Sequence, residues 1–194
     1  MISLIELNYY GIKIRLRFDF FAAAAFMTAL ADGGIAALGL LCCLLHEFGH
    51  IAVMTMFGAE PSGILFYGAG IMITPDRHKL LPLYAEALIL SAGCALNFLL
   101  SGLCGIIGER AAVFGYINLF LGIFNLIPAP GLDGGRLLEL FLGQIFSRCA
   151  AHRICKAAGC VSAMLLASVM FRLGARNFTV YAAAGIMMIA SVIM

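Results

Sequence analysis

The sequence predicts an all-α integral membrane protein with about six transmembrane helices, a β-hairpin dipping into the membrane and one broken helix. Three observations predict it. Of 194 residues, 63% are apolar and only 11% charged, with a mean hydropathy of +1.06; a soluble domain carries about a quarter charged residues. Apolar runs approach the ~20 residues that cross a bilayer, at Phe20–Ala31, Ile35–Phe57, Tyr84–Ile107, Ala111–Ile127, Ala157–Phe171 and Phe178–Met194. Finally, proline and glycine interrupt the pattern in two places, between the second and third runs and at the end of the fourth. One membrane-embedded domain over residues 1–194 is expected. The net charge of +2 is too small to indicate a nucleic-acid partner.

The first run, within "KIRLRFDFFAAAAFMTALAD", has two readings. A basic stretch, a short apolar core and an A-x-A ending resemble a secretory signal peptide. Asp19 interrupts that pattern, and a dozen or so residues precede the basic stretch, so a retained helix is preferred.

The second run holds "LLHEFGH". On a helix, His46 and His50 lie one turn apart on one face and offer ring nitrogens to one metal ion. Glu47 projects from nearly the same side, where a general base for a metal-bound water belongs. A charge at mid-membrane costs ~2.5–3.5 kcal/mol, so such residues mark function. A divalent cation compensates all three groups. The bland reading is a pair of core histidines bonded to neighbouring helices. A catalytic zinc takes three protein ligands. His78 and His152 sit beside basic residues and read as solvated loop positions. Cys42 is on the same helical stripe, but three ligands at i, i+4 and i+8 span ~12 Å of axis, too far for one ion.

Between the second and third runs lies "EPSGILFYGAGIMITPDRHK". Its glycines disfavour helix, and Ile64–Tyr67 and Ile71–Thr74 read as the two strands of a hairpin. Glu86 falls in the first turn of the third span, where the helix dipole favours an acid. The fourth run ends in "FNLIPAPGLDGGRLLELF". Proline blocks helix continuation, so the helix from Ala111 breaks near Pro128 and another begins around Gly135. Irregular backbone at membrane depth survives only where protein or a wet cavity surrounds it. Asp133 at this break reads either as a carboxylate reaching a metal or as a helix N-cap. Arg136 and Glu139 are spaced for a local ion pair. The seven cysteines show no C-x-x-C pair and read as reduced thiols packing like small hydrophobes. Lys13, Arg15, Arg17, Arg77, Lys79, Arg148, Arg153 and Lys156 all fall on one side if the N-terminus is cytoplasmic, with Arg110, Arg172 and Arg176 opposite, as the positive-inside rule favours.

Taken together, the motifs resemble those of the site-2 proteases, intramembrane zinc metalloproteases, and more narrowly the bacterial sporulation branch that processes a membrane-bound pro-sigma factor. H-E-x-x-H is met by His46, Glu47 and His50; N-x-x-P-x-x-x-L-D-G by Asn125, Pro128, Leu132, Asp133 and Gly134; and A-G-P-x-x-N by Ala92–Asn97, with Cys94 in place of the proline. The resemblance implies one Zn²⁺ per chain held by His46, His50 and Asp133, with Glu47 as general base in peptide hydrolysis. Asn97 or Asn125 would donate to the oxyanion or the substrate backbone, or else form interhelical hydrogen bonds. It implies a membrane-tethered protein substrate such as a pro-sigma or anti-sigma factor, a membrane-protein inhibitor or regulator, and a place in the bacterial cytoplasmic membrane. The sequence has no room for the PDZ or CBS domain that relatives often carry. The alternatives are a membrane metal-binding or transport protein, and a scaffold that has lost activity.

Overall fold

The computed structural model describes residues 3–9, 12–30, 33–59, 61–67, 70–75, 81–172 and 178–193. His78 with Arg77 and Lys79, and Arg176, lie outside them. The elements run β1 (Ser3–Tyr9), β2 (Ile12–Arg17), α1 (Phe18–Leu30), α2 (Gly33–Met56), β3 (Pro61–Tyr67), β4 (Gly70–Pro75), α3 (Leu83–Ile107), a 3₁₀ turn (Glu109–Ala111), α4 (Ala112–Asn125), α5 (Asp133–Leu142), α6 (Arg148–Arg172) and α7 (Phe178–Ile193). They form two compact units, residues 1–122 and 123–194.

The chain is mostly helical, as expected, but not all-α. The expected hairpin is there as β3 and β4, antiparallel, with Ile64 opposite Ile73 and Phe66 opposite Ile71. It belongs to a four-stranded sheet of order β1-β2-β3-β4. β1 and β2 form a second hairpin, and β2 runs parallel to β3, Lys13 to Leu16 pairing with Gly63 to Phe66. The basic stretch read as a possible signal-peptide start is therefore a strand. Its alternation explains this: Lys13 and Arg15 are exposed, while Ile14 and Leu16 are half-buried. Asp19 lies in the first turn of α1 and pairs with Arg17 at 2.9 Å.

Six spans were expected; three helices among the described residues are long and apolar enough to cross a membrane, Gly33–Met56, Leu83–Ile107 and Arg148–Arg172. The first two match the expected runs closely. The third extends the expected Ala157–Phe171 backwards to Arg148, so His152, expected in a loop, lies in the helix instead. α1, α4 and α7 have 13, 14 and 16 residues. At 1.5 Å per residue they are roughly 20–24 Å long, short of a ~30 Å hydrocarbon core.

The helices are packed inside out relative to a water-soluble protein. α2 buries Ala36, Cys42, His46, Gly49, His50 and Met54, while Leu41, Leu44 and Phe48 are exposed. Small residues let the backbones approach, the usual basis of helix packing in lipid. A Cβ at Gly49 would lie 2.8 Å from the Ala92 carbonyl oxygen on α3, and one at Gly115 on α4 would lie 2.8 Å from Cys104 Cβ on α3.

In the second unit the expected break is present. α4 ends at Asn125 and α5 starts at Asp133, two residues before the expected Gly135. Within the intervening turn Ala129 N–H donates to Ile127 O at 2.8 Å and Leu132 N–H to Ala129 O at 3.1 Å. Gly131 takes φ +90°, a conformation that glycine adopts without strain. Ala129 is fully buried with Ala163 and Met187, packed by Phe124, Ile127, Leu132 and Leu166. The seven cysteines are all free thiols.

Candidate metal centre

His46 and His50 project from the buried stripe of α2 and are 4% and 8% exposed, so neither relies on bulk water. Each imidazole is held from behind through Nδ1. For His50 the partner is the Ile89 carbonyl oxygen on α3, at 2.6 Å. A carbonyl only accepts, so Nδ1 carries the proton and Nε2 of the neutral ring presents a lone pair. For His46 the partner is Asn97 Oδ1, at 2.5 Å, which fixes the same tautomer. The two Nε2 atoms lie 3.1 Å apart. Between two neutral rings that both donate from Nδ1, that approach brings two lone pairs together, and a cation turns it from repulsive to favourable. Two nitrogens on a tetrahedral zinc with Zn–N of 2.0–2.1 Å are about 3.3–3.4 Å apart, so the pair fits the ion.

Asp133, the first residue of α5, is 8% exposed. His46, His50 and Asp133 each offer a ligand atom, all within 4.8 Å of one another. Among the described residues this is the His/Cys/Asp/Glu group that could hold an ion. Its donors, two imidazoles and one carboxylate, match a catalytic zinc set that leaves one position open. Glu47 sits on α2 beside His46 and is half-buried.

Glycine makes room for the two imidazoles on α3 and for the turn before α5. A Cβ at Gly93 would lie 2.7 Å from His46 Cε1 and closer still to His50 Nε2. At the break, a Cβ at Gly134 would fall 2.8 Å from the Ile127 carbonyl oxygen and nearer to that of Leu126, and one at Gly135 would overlap Ala129. The turn folds back over the first residues of α5, and only glycine leaves room for it.

Other expected residues fall elsewhere. Asn97 is fully buried, its Oδ1 on His46 and its Nδ2 donating to Asn118 Oδ1 at 2.7 Å. Those contacts are interhelical hydrogen bonds of the kind expected as one of its two roles. Asn125 is the half-buried last residue of α4. Cys42 is not grouped with the ligands; its sulfur accepts from Asn118 Nδ2 at 3.1 Å. Glu139, expected beside Arg136, lies 3.2 Å from His152 Nδ1 on α6. Asn118 was missed by sequence reasoning. The available signal was an amide in the apolar run "VFGYINLFLG", a polar group that must find a buried partner.

Comparison with known proteins adds an independent line. Residues 104–169 match the family model described as peptidase family M50, a stretch that includes the break and Asp133. A zinc metalloprotease of Methanocaldococcus jannaschii is 30% identical over 144 residues, covering 69% of this chain and 41% of the relative. Stage IV sporulation protein FB of Bacillus subtilis is 29% identical over 140 residues, covering 68% of this chain and 49% of the relative. The chain thus spans less than half the length of these two curated relatives. The solved structure of a site-2 protease from Methanocaldococcus jannaschii superposes with a TM-score of 0.74, covering 97% of this chain and 93% of that one at 24% identity. At that identity the likeness shows the fold.

Proposed function

We propose that this chain, a relative of the site-2 proteases of peptidase family M50, is a zinc metalloprotease that hydrolyses a peptide bond in or near a transmembrane segment of a membrane-bound protein. The observation that carries the reading is the pair of imidazole Nε2 atoms, 3.1 Å apart, grouped with the Asp133 carboxylate in buried surroundings. His46, His50 and Asp133 hold the zinc. Bound zinc supplies Lewis acidity, polarising the scissile carbonyl and lowering the pKa of water towards 7. Glu47 accepts the proton of the attacking water and passes it to the leaving amine. Burial of the ligands strengthens each of these electrostatic interactions.

A membrane helix hides its peptide bonds in its own hydrogen bonds, so the substrate must unwind to be cut. β4 is the last strand in the sheet order and packs against α2, the helix carrying His46 and Glu47. Its outer edge receives the unwound segment as an added strand, and Asn125 donates to the substrate backbone. The substrate is a membrane-tethered regulatory precursor, a pro-sigma or anti-sigma factor, under a membrane-protein regulator. The similarity to a sporulation protein supports that class. The whole of residues 1–194 acts as one catalytic domain in a bacterial cytoplasmic membrane, N-terminus inside.

The test is Glu47→Gln, read by bound zinc and by cleavage of a membrane-tethered substrate. The protease keeps its zinc and loses cleavage by about 10²–10⁴-fold, the range of general acid–base catalysis. A metal transporter would go on moving metal. Undiminished cleavage by Glu47→Gln rejects the mechanism.

A further inference from the structure

The polar residues behind His46 form a directed chain that ends on the backbone. On α4, Asn118 Nδ2 donates to the Phe114 carbonyl oxygen at 2.9 Å and to Cys42 Sγ at 3.1 Å. Because the Phe114 carbonyl accepts and cannot donate, the Asn118 amide can take only one orientation, with Oδ1 turned to Asn97. That oxygen accepts from Asn97 Nδ2 at 2.7 Å, which turns Asn97 Oδ1 to His46 Nδ1. His46 must then donate from Nδ1, and in the neutral ring Nε2 presents its lone pair. Both asparagines are fully buried, so no water competes for either orientation.

We infer that Asn118 is a positioning residue: acting through Asn97, it fixes the tautomer and ring plane of His46 and so prepares Nε2 for the metal. The inference rests on the zinc reading above. His50 achieves the same result in one step, through the Ile89 carbonyl. His46 has an amide, not a carbonyl, behind it, and an amide can flip. Asn118 removes that freedom. Partners of this kind around a metal ligand typically change metal affinity by about 10–100-fold when lost.

The experiment uses the full chain in nanodiscs, with zinc alone as the probe. Zinc affinity is measured by chelator competition, and the His46 tautomer is read from ¹⁵N-histidine shifts of the chelator-stripped protein. Asn118→Leu removes the acceptor for Asn97; it is expected to weaken zinc binding at least 10-fold and to give His46 a mixture of tautomers, with His50 unchanged. Asn118→Asp keeps an acceptor for Asn97 and, as the neutral acid, a donor for Phe114; it is expected to hold both readouts near wild type. Cys42→Ala removes the thiol partner but leaves the Phe114 anchor, and is expected to change neither. An Asn118→Leu protein with wild-type zinc affinity, or with His46 still wholly protonated on Nδ1, overturns the proposal. So does an Asn118→Asp protein as impaired as Asn118→Leu, because simple packing would then be the role. Wild-type protein that binds no zinc rejects the metal reading, while the tautomer comparison still decides the role of Asn118 in orienting His46.

Discussion

Gly93 on α3 faces His50 on α2 so closely that any β-carbon at Gly93 would collide with His50 Nε2, and it would lie 2.8 Å from His46 Nε2 as well. The backbone of α3 is thus the floor on which both ligand rings rest. Overpacking a tight site costs typically 1–3 kcal/mol, and here the atoms forced aside are the two imidazole Nε2 atoms. Gly93→Ala is expected to bind zinc at least 10-fold more weakly while keeping its helical circular dichroism. Zinc content measured after dialysis against a buffered metal decides it; a full complement in Gly93→Ala means that the rings do not depend on this gap.

Much of this arrangement was legible in the sequence, and the limits are physical. His46 and His50 at i and i+4 could be read because helix geometry alone puts them on one face. The break was readable because Pro128 and Pro130 lack the donor that a helix requires. Gly93 and Gly49 were less readable. A glycine in an apolar helix says that something comes close, and not what; only the packing of α2 on α3 identifies the imidazoles and the Ala92 carbonyl. Asn118 escaped notice for a similar reason, since its role depends on an amide 21 residues away on another helix. The β1–β2 hairpin was missed although Lys13 to Leu16 alternates cleanly, because those residues precede an apolar run and invited a targeting interpretation. The three shorter helices were read as spans from composition, which does not report where a helix ends.

The glycine pair after Asp133 gives a second expectation. A methyl at Gly135 would overlap the Ala129 backbone, whereas one at Gly185 on α7 meets nothing within 4 Å. Gly135→Ala is expected to lower the thermal midpoint in detergent through a loss of about 1–3 kcal/mol. Gly185→Ala is expected to hold or raise it, since alanine exceeds glycine in helix propensity by about 1 kcal/mol. Equal midpoints for the two variants would mean that the turn relaxes without cost.

His152 provides a negative control for metal assignment. Its ring contacts Glu139, and both side chains are about half exposed, 40% and 47%. Exposed pairs contribute about 0–1 kcal/mol. His152→Ala is therefore expected to retain bound zinc and to shift the unfolding midpoint only slightly. Loss of zinc from this variant would reassign the ligand set.

The sheet supplies the last expectation, because proline can separate the two sides of one strand. Successive residues of β4 point their N–H groups alternately towards β3 and towards the outer edge. Ile71 and Ile73 share one direction, Met72 and Thr74 the other. Proline at one pair removes a donor from the β3–β4 ladder; at the other it removes a donor from the edge that would meet an unwound substrate. If the substrate adds as a strand, prolines on the edge-facing pair abolish cleavage of a membrane-tethered substrate yet leave zinc content and thermal midpoint intact. Prolines on the ladder-facing pair lower the midpoint first. Cleavage undisturbed by proline at all four positions would rule out β4 as the docking edge, and the substrate would have to be held by side chains alone.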